Sequence, residues 1–212
     1  MSINPQQKIW TERYKATGDD YLFGEKPNTY LARQSHLFHA GQRVLCVADG
    51  EGRNSVWLAK QGLSVTAVEI SEVAVEKAKR LATKHEVVVD FQCADLLSDE
   101  WLDQHSAIQY DWVIGIFIQF ADPKTREKLF FVMKHLTQLG GGLILQGYTP
   151  KQLEYKTGGP SVLENLYTED LMRSLLKDWR IEELTEYQEV VSEGHGHHGL
   201  SALMGVIAYK TC

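Results

Sequence analysis

Apolar residues along the chain fall into short runs separated by amphipathic stretches, the alternation expected of strands and helices in turn. Val44-Leu45-Cys46-Val47 is such a run; it ends in Asp49-Gly50-Glu51-Gly52, and Asn54 to Gln61 then reads as a helix stopped by Gly62. A second run, Ser64 to Val68, ends at Glu69, and Ser71 is placed to N-cap a helix reaching about Thr83 with Ala74, Ala78 and Leu81 on one face. Val87 to Phe91 predicts a third strand. Trp112 to Ile118 predicts a fourth, whose unbroken apolar character suits a sheet covered on both faces. A helix opening at Asp122-Pro123 is expected to run to about Gln138 and to be stopped by Gly140-Gly141-Gly142, ahead of a fifth strand at Leu143 to Leu145. Thr168, followed by Glu169 and Asp170, opens another helix. Trp179 to Val190 and Ser201 to Tyr209 have no helical pattern between them and so predict an antiparallel pair. The expected fold is α/β: a Rossmann-like, seven-stranded, mostly parallel sheet with an antiparallel C-terminal strand pair and helices on both faces.

Composition narrows this picture without changing it. The chain has 212 residues, 43% of them hydrophobic, and is expected to form a single domain, 1–212, with an N-terminal helical region at 1–40 ahead of a sheet core at 41–212. A chain of this size buries about 70% of its unfolded surface and needs no disulfide or metal to close its core. The 28 acidic residues outnumber the 22 Lys and Arg, a net charge of −6 that weighs against nucleic acid as a partner, because phosphate binding is built on basic side chains. Cys46, Cys93 and Cys212 are odd in number and lack the spacing of a disulfide or zinc framework, which points to a reducing cytoplasm. The start, MSINPQQKIWTER, has no apolar core of a signal peptide, and no apolar run approaches the roughly 20 residues that span a bilayer, so no membrane partner is expected. There is no internal repeat; Gly158-Gly159-Pro160 and the stretch from Gly194 to Gly199 read as loops.

In sheets of this kind ligands bind beyond the carboxyl ends of the strands, where the strand order reverses, and this directs attention to the loop after Val47. Gly50 and Gly52 permit a tight turn and close approach of a ligand, while the next helix offers unpaired N–H groups with partial positive charge. Glu69 ends the second strand, where a carboxylate can accept from two ribose hydroxyls; an isolated acid there would more often be a solvated strand end. Asp95, just after the third strand, can accept from an adenine amino group with Leu96 on the ring. Glycine loop and acid together indicate an adenosine-containing ligand. Ser55 would almost serve as the small third residue of a dinucleotide loop, so the loop alone leaves a nicotinamide enzyme open.

The C-terminal antiparallel pair separates the two readings, because a sheet ending that way resembles the S-adenosylmethionine-dependent class I methyltransferases over essentially the whole chain. In detail, Trp10-Thr11-Glu12-Arg13-Tyr14, Gly50-Glu51-Gly52-Arg53-Asn54, Ile116-Phe117-Ile118-Gln119-Phe120, Leu139-Gly140-Gly141-Gly142 and Gly158-Gly159-Pro160 are similar to bacterial small-molecule methyltransferases that include the tellurite-resistance and thiopurine enzymes. The resemblance implies S-adenosylmethionine as cofactor and no metal. It puts Gly50 and Gly52 at the methionine part, Glu69 at the ribose, and Asp95 with Leu96 at the adenine, with Asn54, Ile70 and Ile116 also beside the cofactor. Tyr14, Phe23 and Gly24 would belong to a lid over it. One departure stands out: the family's first loop carboxylate falls on Cys46, its usual Cys or Gly two residues on is Ala48, and Asp49 precedes Gly50 as the candidate replacement charge.

Methyl transfer from a sulfonium is an in-line displacement that asks mainly for alignment and exclusion of water, with a base only for a protonated nucleophile. His197, in the Glu193 to Gly199 stretch, matches the family's C-terminal histidine and is the expected base or substrate orienter. His195 and His198 lack that support; the competing readings of the three are a solvated loop with no role and, behind it, an adventitious metal site. Phe117, Gln119 and Phe120 follow the fourth strand, where the resemblance puts the acceptor, core packing being the alternative for both phenylalanines. Arg53 either holds an anionic substrate or caps the loop. Trp10, Tyr14, Tyr21, Phe23 and Tyr30 crowd the N-terminal segment, as a helix packed on the core or as a lid made movable by Thr17-Gly18-Asp19-Asp20. The expected function is methyl transfer to a small-molecule acceptor, with a sulfur, selenium or tellurium nucleophile; the alternatives are a binding module without turnover and an NAD-dependent dehydrogenase. Oligomeric state is not set by the sequence.

Overall fold

Five parallel strands form from the apolar runs: β1 (Arg43–Val47), β2 (Ser64–Glu69), β3 (Asp90–Cys93), β4 (Tyr110–Ile116) and β5 (Thr137–Tyr148). The computed structural model describes residues 4–211; Met1, Ser2, Ile3 and Cys212 lie outside the described residues, and with them the first residues of the N-terminal stretch and one of the three cysteines. Two longer strands, β6 (Trp179–Glu193) and β7 (His197–Lys210), complete a seven-stranded sheet in the order β3-β2-β1-β4-β5-β7-β6. β7 runs antiparallel to both β5 and β6. A reversed strand inserted at this position departs from the 3-2-1-4-5-6 order of dinucleotide enzymes.

Alternate side chains of each buried strand feed opposite layers. Leu45 and Val47 of β1 join Val113, Leu143, Phe130 and Met133 on the face covered by α6 (Pro123–Leu136), α5 (Asp99–His105) and α8 (Glu169–Leu175). Val44 and Cys46 join Ile114, Ile144, Leu58 and Leu31 on the face covered by α3 (Arg53–Lys60) and α2 (Thr29–Arg33). α4 (Glu72–Lys84) is N-capped by Ser71, whose hydroxyl accepts from the Ala74 amide, and its Ala74, Ala78 and Leu81 are buried as the periodicity predicts. The N-terminal region contributes α1 (Pro5–Ala16), capped by the Asn4 side chain. A short α7 (Gln152–Tyr155) follows β5.

Besides β4, expected at 112–118 but spanning Tyr110–Ile116, three boundaries differ from the sequence reading. β3 pairs with β2 only from Asp90 onward, because Glu86 adopts a left-handed φ of 57° after α4 and Val88 is left 92% exposed in a connecting segment. α6 ends at Leu136 rather than at the glycines: Thr137 turns into extended geometry with its hydroxyl on the Met133 carbonyl, and β5 begins at once. Gly142 therefore lies inside β5, where a Cβ would stand 2.1 Å from the Trp112 ring; the glycine makes room for an indole instead of stopping a helix. The third correction is at the end of the chain. β6 and β7 pair as far as Glu193 opposite His197, which shrinks the expected Gly194–Gly199 loop to the turn Gly194-His195-Gly196 and places His197, His198 and Gly199 in β7.

Candidate active site at the glycine loop

The chain leaves β1 through a run of left-handed residues, Ala48 (φ 48°), Gly50 (φ 65°) and Gly52 (φ 88°), which folds the loop back over the strand ends. Ala48 pays a backbone cost of about 1–2 kcal/mol that a glycine would avoid. The Gly50 amide donates to Glu69 Oε2 at 3.0 Å and the Ser71 amide to Glu69 Oε1 at 2.9 Å, so the acid at the end of β2 fixes the loop above it. Burial pushes the Glu69 carboxyl up to about 7 against the pull of those donors. Asp49 is enclosed at its carboxyl: Oδ2 accepts from the Ser55 hydroxyl, and Oδ1 has no hydrogen-bond partner. Burial raises Asp49 to about 6, with the Ser55 bonds opposing.

Most of the expected residues line one cavity of about 600 Å³ over these strand ends. Tyr14, Phe23, Asp49, Gly50, Asn54, Glu69, Ile70, Asp95, Leu96 and Ile116 are on its walls, as are Arg53, Phe117, Gln119, Phe120 and His197. Two expected residues are not. Gly52 is pressed against α4, where a Cβ would sit 2.7 Å from the Ala78 Cβ, so its bareness serves helix packing. Gly24 abuts the backbone of Gly194 at the hairpin tip.

At the cofactor end the cavity carries three carboxyls, Asp49, Glu69 and Asp95. Asp95 accepts from the Leu97 amide at 2.9 Å and from Asn4 Nδ2 at 2.8 Å, an N-terminal partner that the sequence reading missed. Trp10 and Arg13 of α1 also line the cavity, with the guanidinium 4.4 Å from the Trp10 ring centroid.

The other end is walled by rings. Phe117, held at a left-handed φ of 56° just after β4, stacks on His197 at 4.2 Å and on Tyr148 at 4.8 Å, and Phe23 stacks on His197 at 4.5 Å. The Tyr148 hydroxyl lies 2.6 Å from His197 Nδ1. Burial, with the positive charges of Arg53 and Arg13, pushes His197 down to about 3. The imidazole is thereby kept neutral at pH 7 and made less basic, which favours the orienting side of the base-or-orienter expectation. His195 and His198 are exposed while His197 is buried, and among the described residues no three metal-ligating side chains converge.

Two further expectations change on contact with the geometry. Arg53 Nη1 stands 2.7 Å from Glu193 Oε2, an ion pair by distance though off the line of a hydrogen bond, and Glu193 also accepts from Asn28 Nδ2 and the Thr29 amide. Arg53 is thus engaged in the scaffold rather than free for an anionic substrate. Gln119 gives its amide to the Tyr148 and Asn165 carbonyls and takes the Tyr148 amide, so it braces the substrate-side loop instead of presenting a free group. Tyr148 itself ends β5, and the rule that ligands lie beyond strand ends was the available signal for it.

The donor set suits S-adenosylmethionine. Asp49 offers a buried carboxylate oxygen without a partner where the cofactor brings an ammonium, and α3 starts with no side-chain cap where the cofactor brings a carboxylate. Glu69 stands at the β2 end for ribose hydroxyls, with Asp95 and Leu96 one strand further out.

Comparison with known proteins agrees. Residues 44–141 match the family model of a methyltransferase domain. The ubiquinone biosynthesis O-methyltransferase of Coxiella burnetii is 37% identical over 67 residues, 32% of this chain, and the match spans only 28% of that relative. Among solved structures, TehB from Haemophilus influenzae superposes with a TM-score of 0.68 at 16% identity, covering 97% of this chain and 67% of that one. The N-methyltransferase NodS from Bradyrhizobium japonicum, in complex with S-adenosylhomocysteine, superposes with a TM-score of 0.70 at 14% identity over 98% and 99% of the two chains.

Proposed function

We propose that this chain, a class I methyltransferase in fold with a site suited to S-adenosylmethionine, transfers the cofactor's methyl group to a small-molecule acceptor carrying a sulfur, selenium or tellurium nucleophile. The observation that carries the reading is the single cavity in which Asp49, Glu69 and the bare start of α3 face one way and the ring wall of Phe117, Tyr148 and His197 closes the other. The cofactor, when bound, supplies a methyl group made electrophilic by its sulfonium. The residues of the chain do the rest by placement: Asp49 and Glu69 anchor the donor, the rings exclude water, and His197, steadied by Tyr148, orients the acceptor.

The weak basicity of His197 supports a soft nucleophile. A thiol or selenol ionises near neutral pH without strong assistance, whereas an alcohol needs a base that this wall does not supply. The direct test incubates the purified protein with S-adenosylmethionine and separate panels of small thiols, selenite, tellurite, phenols and amines, and follows S-adenosylhomocysteine by mass spectrometry. Turnover with the chalcogen panels is expected; turnover confined to phenols or amines overturns the soft-nucleophile assignment. A second reading, a cofactor-binding module without turnover, is favoured by the Cys46 and Ala48 departures in the loop, and binding without turnover of any panel would select it.

A further inference from the structure

Lys77 is the least expected buried residue of the molecule. It lies on the face of α4 turned toward α1, 2% exposed, and its ammonium is within hydrogen-bond distance of four oxygens. Three belong to the N-terminal segment: the Tyr14 carbonyl at 2.9 Å, the Thr17 hydroxyl at 2.7 Å and the Asp20 carbonyl at 2.8 Å. The fourth is Glu51 Oε1 of the glycine loop, at 2.9 Å. The other oxygen of Glu51 accepts from the Leu22 amide at 2.7 Å, so the loop carboxylate and the ammonium together hold both ends of the 14–22 stretch. Tyr21 adds a bond from its hydroxyl to the Lys77 carbonyl. The Thr17–Asp20 loop, expected to be the mobile part of a lid, is therefore pinned.

We propose that Lys77 and Glu51 form a positioning pair that sets the N-terminal cap over the cofactor, making cap closure and the cofactor-binding shape of the glycine loop one equilibrium. The argument rests on the cofactor reading above and on three contacts. Tyr14, whose carbonyl Lys77 holds, carries its hydroxyl over Gly50, 2.9 Å from where a Cβ of that residue would be. Phe23, next to the Leu22 held by Glu51, is stacked on His197. Gly52, next to Glu51, is packed on Ala78, next to Lys77, so loop and helix cannot separate locally while the pair is intact. A buried pair is a poor device for stability, because desolvation cancels much of its attraction, but it is a strict device for register, since neither charge tolerates leaving the other. Neither residue touches the reacting atoms; both act through Tyr14, Phe23 and Gly50.

The decisive variant is the double substitution Lys77→Met with Glu51→Gln, which removes both charges and leaves neither one buried alone. Titration calorimetry with S-adenosylhomocysteine should give an affinity about tenfold weaker, the factor expected if the closed cap falls to about a tenth of the population. Trypsin should cut the unliganded variant after Arg13 or Lys15 faster than wild type, and saturating S-adenosylhomocysteine should slow the cut again. Glu51→Gln alone leaves the Lys77 ammonium buried without its counter-charge and should weaken binding and trypsin resistance at least as much as the double variant. A double variant that binds S-adenosylhomocysteine like wild type and resists trypsin like wild type overturns the proposal whatever its melting temperature, because the pair would then not set the cap. If wild type itself fails to bind S-adenosylhomocysteine, the cofactor reading is what has failed, and the trypsin arm on the unliganded proteins still decides the role of Lys77. If the double variant does not fold, Thr17→Val, which takes one cap oxygen from Lys77 and strands no charge, supplies the same two comparisons.

Discussion

Asp49 is the proposed replacement for the charge that the usual loop carries at the position of Cys46. Cys46 is buried, and burial pushes its thiol well above the ordinary range, so it supplies no charge. Asp49 can, and its Oδ1 has no hydrogen-bond partner among the described residues. Asp49→Asn should leave the Ser55 contact largely in place while weakening S-adenosylhomocysteine binding by about 10- to 100-fold, the worth of one charge-assisted bond. Unchanged affinity in calorimetry would refute the replacement. With Asp49 at about 6 and Glu69 at about 7, both carboxyls are partly protonated between pH 5.5 and 7, and a bound ammonium and ribose hydroxyls would favour their ionised forms. Affinity should therefore fall as pH drops from 8 towards 5.5, and binding near pH 6.5 should release protons, read from the dependence of the calorimetric heat on buffer ionisation. His197 has the opposite linkage to stability. Its folded value of about 3 lies below the ordinary 6.5, so the unfolded chain takes a proton that the folded one refuses. Folding stability contributed at this position is full above about 6.5 and is lost as pH falls towards 3, and His197→Gln should flatten that limb of a denaturation-against-pH curve.

At the level of elements, strands and helices with a clean period were legible, and those whose partners lie far away in sequence were not. β1, β2, α3, α4 and α8 fall within a residue or two of their expected places, because their runs, caps and glycines act locally. β3 and the start of β5 were misplaced because pairing with β2 and the approach of Trp112 to Gly142 settle them, and neither is written in the local pattern. The site divides the same way. Gly50, Glu69 and Asp95 were found from strand ends, whereas Asn4, Tyr148 and the engagement of Arg53 by Glu193 depend on contacts that span the chain. The N-terminal cap gives a prediction of its own. Removing residues before Pro27 takes away Tyr14 and Phe23 from the cavity and every cap partner of Lys77, while leaving the sheet and its two main core layers intact. Such a chain should keep most of its far-ultraviolet circular dichroism yet lose measurable S-adenosylhomocysteine binding; normal binding would mean that the cap is dispensable.

For the molecule as a whole, a ligand that binds only the folded state adds stability by mass action. S-adenosylhomocysteine at a hundred times its dissociation constant adds about 2.7 kcal/mol, which for a chain of this size raises the melting midpoint by about 5–10 °C. A scanning-fluorimetry shift absent with S-adenosylhomocysteine but present with NAD would return the protein to the dinucleotide reading. The comparisons bear on the sheet more than on its edges: the family match covers 44–141, whereas the cap, Tyr148 and the hairpin lie outside it. The two ends of the chain that lie outside that match meet where Gly24 abuts Gly194.

The pairing of Glu193 with His197 at the tip of that hairpin has a consequence for how such a protein can diverge. One member of the rung anchors Arg53 at the start of the donor-side helix, and the other belongs to the acceptor-side ring wall. A hairpin exchanged for that of a relative, in order to import a new acceptor preference, must bring an acid in register at 193, or Arg53 is stranded in a dry site at a cost of about 3–5 kcal/mol. On the proposed function, donor grip and acceptor choice are therefore exchanged as one block, the turn included, because a Cβ at Gly196 would stand 2.2 Å from the Phe23 ring of the cap.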